Sequence, residues 1–182
     1  MTKKLSNYIL LLSLTACFLL FNSAVANAQK RRPARGRNKS TATTKASSAA
    51  NAEAVKAGAQ TVSNQIKNLG QFIFVYGSSI TRIQVVDQDA KTGKLTDAAR
   101  KQSESGKQGL VLTVRTFKNA MLKLEDDFRA NPALRPFLLQ LTGVGETATT
   151  AEEQAAAGQF EQSGRTLLGV LNQLTDTLQA MH

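Results

Sequence analysis

The feature that most constrains the fold of this chain is a long repeat of apolar and small side chains, spaced alternately four and three residues apart. An α-helix completes a turn in about 3.6 residues, so side chains at this spacing lie along one face of a single helix. The repeat predicts a helix of about nine turns, with Asn51 as its N-cap and its exit at residues 91–93. Its members are Val55, Ala59, Val62, Ile66, Leu69, Ile73, Tyr76, Ile80 and Ile83.

A second repeat of the same kind predicts a helix that begins at Thr96, whose hydroxyl can cap free backbone N–H groups. We expect this helix to fray over residues 100–109, which are polar and contain glycine, and to end before Pro132. A short apolar segment at 137–141 predicts a brief helix after it. The members of the second repeat are Leu110, Val114, Phe117, Met121, Leu124 and Phe128.

A third repeat predicts a helix that runs to the end of the chain. Thr149 and Thr150 are each followed three residues later by a glutamate, a pattern typical of the capping box that starts a helix. The preceding segment, residues 143–147, is expected to be a flexible link, since it lacks the lysine of a phosphate-binding loop. The members of the third repeat are Phe160, Gly164, Leu167, Leu171, Leu174, Leu178 and Met181.

Each predicted helix has one apolar face, which it must bury against the others. The sequence therefore predicts an all-α fold, an elongated up-down-up bundle of three long helices with one short crossing helix, over residues 51–182. Strands at 72–76, 83–86 and 110–114 are the alternative, because these segments are rich in strand-favouring residues. We favour helices, since a strand at 72–76 would interrupt a repeat that continues in phase on both sides.

Residues 1–28 have the three parts of a secretory signal peptide. Two lysines precede an apolar run at 9–21, and the small residues Ala26 and Ala28 form a cleavage site. The run has thirteen residues, fewer than the ~20 that span a bilayer as a helix. We expect cleavage before Gln29 and an exported protein, periplasmic or secreted.

Two other fates of the N-terminus stay open. Residues 14–17 resemble a lipoprotein acylation site, although a chain that begins at Cys17 would start in the middle of the apolar run. An uncleaved N-terminal membrane anchor is the second, because the dense basic charge after residue 29 favours the cytoplasmic side. Cys17 is the only cysteine, so the expected mature chain cannot form a disulfide.

The formal net charge of +10 is concentrated between the signal peptide and the predicted bundle. Residues 29–50 contain seven basic residues and no acidic one, whereas residues 51–182 contain fourteen basic and thirteen acidic residues. Pro33, Gly36 and a sequence rich in Ser, Thr and Ala predict a disordered basic linker at 29–50.

This linker suits an anionic lipid or a cell-envelope polymer as its partner. The residues expected to bind that surface are Lys30, Arg31, Arg32, Arg35, Arg37 and Lys39. Specific nucleic-acid binding is not expected, because the run has no aromatic side chain on which a base could stack. A spacer without a partner is the alternative.

The sequence predicts no catalytic, cofactor-binding or metal-binding residue. His182 is the only histidine and ends the printed sequence. Residues 87–89 begin like a calcium loop, but Lys91 and Ala98 stand where an EF-hand needs an oxygen ligand and a glutamate. We expect a solvated loop there, and a solvated face for the carboxylates at 125–127 and 152–153.

Eight glycines fall inside the predicted helices, where each costs about 1 kcal/mol relative to alanine. Close helix packing is the expected reason, and a kink that exposes a docking patch at residues 70–77 is the alternative. The eight are Gly58, Gly70, Gly77, Gly106, Gly109, Gly158, Gly164 and Gly169.

These observations favour an exported, non-enzymatic protein that acts by binding, as an envelope-associated adaptor or assembly subunit. Its bundle could bind a second copy of the chain or another protein. The alternative function is a carrier of a small apolar ligand, in a cavity between the helices around Phe72, Phe74 and Phe117.

Overall fold

The computed structural model describes residues 39–93 and 96–182, and within these ranges the chain forms helices and no strand. The all-α prediction is confirmed, and the alternative of strands at 72–76, 83–86 and 110–114 is wrong. A 3-10 turn, Arg135–Phe137, precedes the third of the α-helices. The α-helices are α1 (Lys39–Lys91), α2 (Asp97–Ala130), α3 (Leu138–Leu141), α4 (Val144–Ala156) and α5 (Phe160–Ala180). None of the helices in the described ranges combines the length and the apolar character needed to cross a membrane.

The repeat that predicts α1 is confirmed as the packing face of this helix. Every seventh residue from position 62 is buried, and these residues are Val62, Leu69, Tyr76 and Ile83. The other five members of the repeat are partly buried and pack against the same core. α1 contacts α5 more extensively than it contacts α2. The predicted exit is also confirmed, because α1 ends at Lys91 and Gly93 follows with a φ of 70°.

The start of α1 differs from the prediction. The helix begins at Lys39, so Asn51 is an interior residue and not an N-cap. Residues 39–50 therefore belong to α1, while the rest of the segment predicted as a disordered linker and the predicted signal peptide lie outside the described residues. The physical reason is that 39–50 contain several alanines and neither proline nor glycine, so nothing in the sequence stops the helix at Asn51. Residues 47–53 are all exposed.

α2 begins and ends as predicted. The Thr96 hydroxyl oxygen accepts a hydrogen bond from the Ala99 N–H at 3.3 Å, and the helix stops at Ala130, before Pro132. Its buried face contains Val114, Phe117, Met121, Leu124 and Phe128. The expected fraying at 100–109 is wrong, since the helix is continuous through this segment.

The predicted third long helix is two helices. α4 starts at Val144, so the capping boxes at Thr149 and Thr150 are wrong: both hydroxyls donate to backbone carbonyls one turn earlier in the same helix. α4 ends in a Schellman motif, in which the Gly158 N–H donates to the Ala155 carbonyl and the Gln159 N–H to that of Gln154. Gly158 has a φ of 78°, which a glycine adopts without strain.

α4 contacts both α2 and α5, and it is one of the principal contributors to the single core of the described residues. Its buried face consists of Val144, Gly145, Ala148, Ala151, Glu152 and Ala155. The segment at 143–147 is therefore the start of a packed helix and not a flexible link. The brief helix predicted at 137–141 is present as α3, and its Leu141 is fully buried. The Gln173 side-chain amide of α5 donates to the carbonyls of Gln140 and Thr142 at the end of α3.

Candidate functional site

The residues predicted to act at a surface fall largely outside the described part of the chain. The expected cleavage-site residues Ala26, Ala28 and Gln29 belong to this undescribed part. So do five of the six predicted surface-binding residues, namely Lys30, Arg31, Arg32, Arg35 and Arg37. The sixth, Lys39, is the first residue of α1. Cleavage and surface binding therefore stay predictions.

A buried carboxylate joins α4 to α2. Glu152 of α4 is only 8% exposed. Its two carboxylate oxygens accept hydrogen bonds from Arg115 Nε and from Lys118 Nζ of α2, each at 2.5 Å. The hydrogen bond from Lys118, followed by that from Arg115, holds the pKa of Glu152 below its ordinary value. The prediction of a solvated carboxylate is wrong for Glu152 and right for its neighbour Glu153, which is exposed.

A second buried carboxylate joins the same helices with the roles exchanged. Glu125 of α2 is 9% exposed and accepts a hydrogen bond from the Gly143 N–H at 2.6 Å, directly before α4. The N-terminal turn of a helix carries free N–H groups and a partial positive charge, both of which favour a carboxylate. Glu125 thus caps α4 from the neighbouring helix. The prediction of a solvated carboxylate is wrong here, whereas Asp126 and Asp127 are exposed as expected.

We call Glu125, Arg115, Lys118 and Glu152 the α2–α4 seam. Both of its carboxylates are engaged, one by two cations and the other by a helix N-terminus. A general base needs a carboxylate that can reach a substrate proton. The seam instead uses its charges to hold one helix on another, so it is a structural feature of the fold.

A tyrosine in the core presents a different polar group. Tyr76 is 1% exposed, and its hydroxyl makes no well-aligned hydrogen bond to another described residue. Its ring lies against Gly164 of α5, where a Cβ would be only 3.3 Å from Cε1. Burial raises the pKa of the phenol, and the nearby Ser163 hydroxyl partly offsets this effect. Ser163 gives its own proton to the Ala151 carbonyl at 2.8 Å. The packing reason expected for helix glycines is confirmed at Gly164.

The aspartates that resemble the start of a calcium loop lie within α1 and not in a solvated loop. Asp87 accepts a hydrogen bond from the Lys107 ammonium of α2 at 2.9 Å, and Glu104 accepts a second one at 3.0 Å. The contact with Asp87 is the main reason why the pKa of Lys107 is raised. Within residues 39–93 and 96–182, no three His, Cys, Asp or Glu side chains are grouped as metal ligands would be.

The three phenylalanines expected to line a ligand cavity do not share one. Phe72 packs against both Phe117 and Tyr76, with ring centroids 5.1 Å apart in each pair. Phe74 is 84% exposed and lies on another face of α1. An open groove of about 360 Å³ exists elsewhere, between α1 and the start of α5. Its lining includes the charged side chains of Asp87, Glu161 and Arg165.

The largest exposed aromatic side chain in the described ranges, Phe74, belongs to a distinct surface of α1. Gly70 and Gly77 stand one turn before and one turn after it, and a Cβ at either position would meet no atom within 4 Å. The packing reason expected for these two glycines is therefore wrong. Val85 is 57% exposed and lies three turns beyond Phe74 on the same side.

Comparison of the chain with protein-family models, with curated proteins and with solved structures gives no match.

Sequence reasoning missed the α2–α4 seam and considered the exposed surface of α1 only as an alternative. The α2–α4 seam carried no recognisable signal, because a glutamate on a helix is ordinarily solvated. The exposed surface of α1 had a weak signal, namely two glycines at positions 70 and 77 on either side of an aromatic residue that is out of phase with the apolar repeat. That signal supports the docking patch considered as an alternative above, although α1 is one uninterrupted helix through this segment.

Proposed function

We propose that this protein is exported and acts by binding, as a non-enzymatic helical bundle that attaches to an anionic surface of the cell envelope through its basic N-terminal segment. The observation that carries the proposal is the distribution of charge. Seven basic and no acidic residues occur in 29–50, whereas 51–182 are close to neutral. Basic residues near an anionic membrane each contribute about 1 kcal/mol of attraction.

The contacts of the helical part are consistent with a scaffold. Its two buried carboxylates, Glu125 and Glu152, hold helices together. Arg165, which lines the groove beside α5, is paired with Glu161 at 2.6 Å. These charged groups contact partners within the helical part. We therefore assign attachment to the basic segment at residues 29–50.

Vesicle cosedimentation tests this assignment with two variants of equal net charge. The first replaces Arg31, Arg32 and Arg35 by glutamine. The second replaces Lys91, Arg100 and Lys101, which are exposed at the end of α1 and the start of α2, by glutamine. We expect the first variant to lose about 3 kcal/mol of binding to anionic vesicles, or roughly a factor of 100, and the second to lose far less.

The salt dependence of vesicle binding provides an independent test on the same samples. Attraction between exposed charges is screened as the Debye length shortens, so binding of the parent should weaken steeply between low and physiological salt. Equal binding by the two variants, or binding that is indifferent to salt, would mean that the basic segment is a spacer.

Export is tested by the mass of the protein recovered from the cell envelope and the culture medium. Cleavage after Ala28 should give a chain that begins at Gln29. A chain that retains Met1 would indicate the membrane anchor, and a lipid on Cys17 would indicate the lipoprotein alternative.

A further inference from the structure

The surface of α1 around Phe74 combines apolar exposure with positive charge. Phe74 is 84% exposed, and Val75 and Val85 are 53% and 57% exposed. Lys67 lies two turns before Phe74 and Arg82 about two turns after it, and both are exposed. From residue 54 to residue 86 the helix carries no acidic residue.

The shape of this surface is convex at its centre. Gly70 and Gly77, one turn away on either side of Phe74, have no Cβ and meet no neighbouring atom within 4 Å. No side chain stands beside the ring at these two positions, so the 84% exposed ring projects from the helix. A protein partner would need a pocket of matching shape, whereas a lipid surface adapts to a projecting ring.

The charges argue against a second copy of this chain on the same surface. An antiparallel pairing centred on Phe74 would bring Lys67 of one copy opposite Arg82 of the other, and a parallel pairing would place each cation opposite itself. Either arrangement sets like charges against each other, which disfavours association. An anionic occupant satisfies both cations.

We propose that this surface, defined by Lys67, Phe74, Arg82 and Val85, docks on an anionic lipid bilayer. Phe74 enters the boundary between head groups and acyl chains, and Lys67 and Arg82 contact the lipid phosphates, as in interfacial helices that combine apolar and basic side chains. The proposal extends the surface attachment proposed above, on which it rests, from the basic segment to the helical part. It orients the helical part on the membrane, with this side of α1 facing the lipid.

A tryptophan placed at position 74 reports the docking directly, because the chain contains no tryptophan. In Phe74→Trp we expect the emission to shift to shorter wavelength on addition of phosphatidylglycerol-containing vesicles, and to be quenched by lipids with brominated acyl chains. Vesicles of phosphatidylcholine alone should produce neither effect. Leu139→Trp is the matched control, since Leu139 is 81% exposed on α3 and should not respond. Unchanged emission of the Phe74→Trp variant with the anionic vesicles would overturn the proposal.

Binding variants separate this proposal from the attachment by the basic segment. Phe74→Ser, and the pair Lys67→Gln with Arg82→Gln, should each weaken binding to phosphatidylglycerol vesicles by on the order of tenfold. Leu139→Ser and Lys101→Gln are the controls and should bind as the parent does. If neutralising Arg31, Arg32 and Arg35 weakens binding while Phe74→Ser does not, only the α1 surface is refuted; the opposite result refutes only the basic segment.

Two other outcomes would assign the surface to another occupant and overturn lipid docking. A shift in the emission of the Phe74→Trp variant with protein concentration, in lipid-free buffer, would indicate a second copy. A shift with an acidic amphipathic peptide, without a response to anionic vesicles, would indicate a protein partner. Thermal melts of the variants at positions 67, 74, 82, 101 and 139 should match the parent, because these side chains are exposed.

Discussion

α1 and α4 both pack against α5, but the two helices bury different kinds of side chain. α1 buries large apolar residues at every seventh position, from Val62 to Ile83. α4 buries mostly small residues, and it is fixed to α2 by Glu152 and by the cap that Glu125 provides. Large apolar side chains stabilise a helix in almost any apolar environment, whereas a buried carboxylate is stabilising only when its partners are in place. The contact made by α4 is therefore the more specific one.

The largest effect is expected from the apolar contact of α1. Leu69 is fully buried, so Leu69→Ala removes apolar contacts and leaves a cavity, at a cost of about 2–5 kcal/mol in the free energy of unfolding. Val85→Ala on the same helix is the control, because Val85 is 57% exposed and should change stability by less than about 0.5 kcal/mol. Urea denaturation followed by circular dichroism measures both. Equal stabilities would show that α1 is not held by this face.

The second effect concerns the charged contact of α4. Glu152→Gln leaves the Arg115 and Lys118 side chains without their carboxylate, and we expect a loss of about 1–3 kcal/mol. Glu153→Gln is the matched control, since Glu153 is exposed and should change stability by less than about 0.5 kcal/mol. A loss shared equally by both variants would contradict a specific role for Glu152.

The pH dependence of this contact follows from the direction of the pKa shift. The pKa of Glu152 in the folded protein lies below its ordinary value of 4.5. Its contribution is therefore complete above about pH 4.5 and is lost as the pH falls through the folded value. The difference in stability between the parent and Glu152→Gln should be constant from neutral pH to about pH 5 and should shrink in stronger acid. A difference that grows on acidification would contradict the assignment.

The smallest effects come from two glycines, and they are expected to have opposite signs. A Cβ at Gly145 of α4 would lie 2.6 Å from Leu122 Cδ2 and 2.7 Å from Glu125 Oε2, so Gly145→Ala should cost about 1–2 kcal/mol. A Cβ at Gly77 of α1 would meet nothing within 4 Å, so Gly77→Ala should stabilise the helix by about 0.5–1 kcal/mol. Thermal melts of the two variants measure the signs. Stability changes of the same sign would contradict the conclusion that Gly145 is closely packed and Gly77 is not.

The sequence alone was sufficient to predict the helical class, the buried face of α1 and the limits of α2. These features depend on local rules, namely the spacing of apolar side chains, the Thr96 cap and the position of Pro132. The sequence also contains the spacing of the buried face of α4, because Val144, Ala148, Ala151 and Ala155 alternate by four and three residues. Alanine is common on exposed helix faces, however, so this pattern alone does not mark a buried one.

The tertiary structure decided which polar and small residues are buried. Three consecutive carboxylates at 125–127 look alike in the sequence, yet only Glu125 meets the N-terminus of another helix, at Gly143. Gly70 and Gly164 are equally plausible packing glycines, yet only Gly164 has an aromatic ring against it. Whether a charged side chain is buried, and whether a glycine is closely packed, both depend on which atoms approach from a distant part of the chain. Local spacing sets the faces of each helix, and only the packing of helices determines what those faces meet.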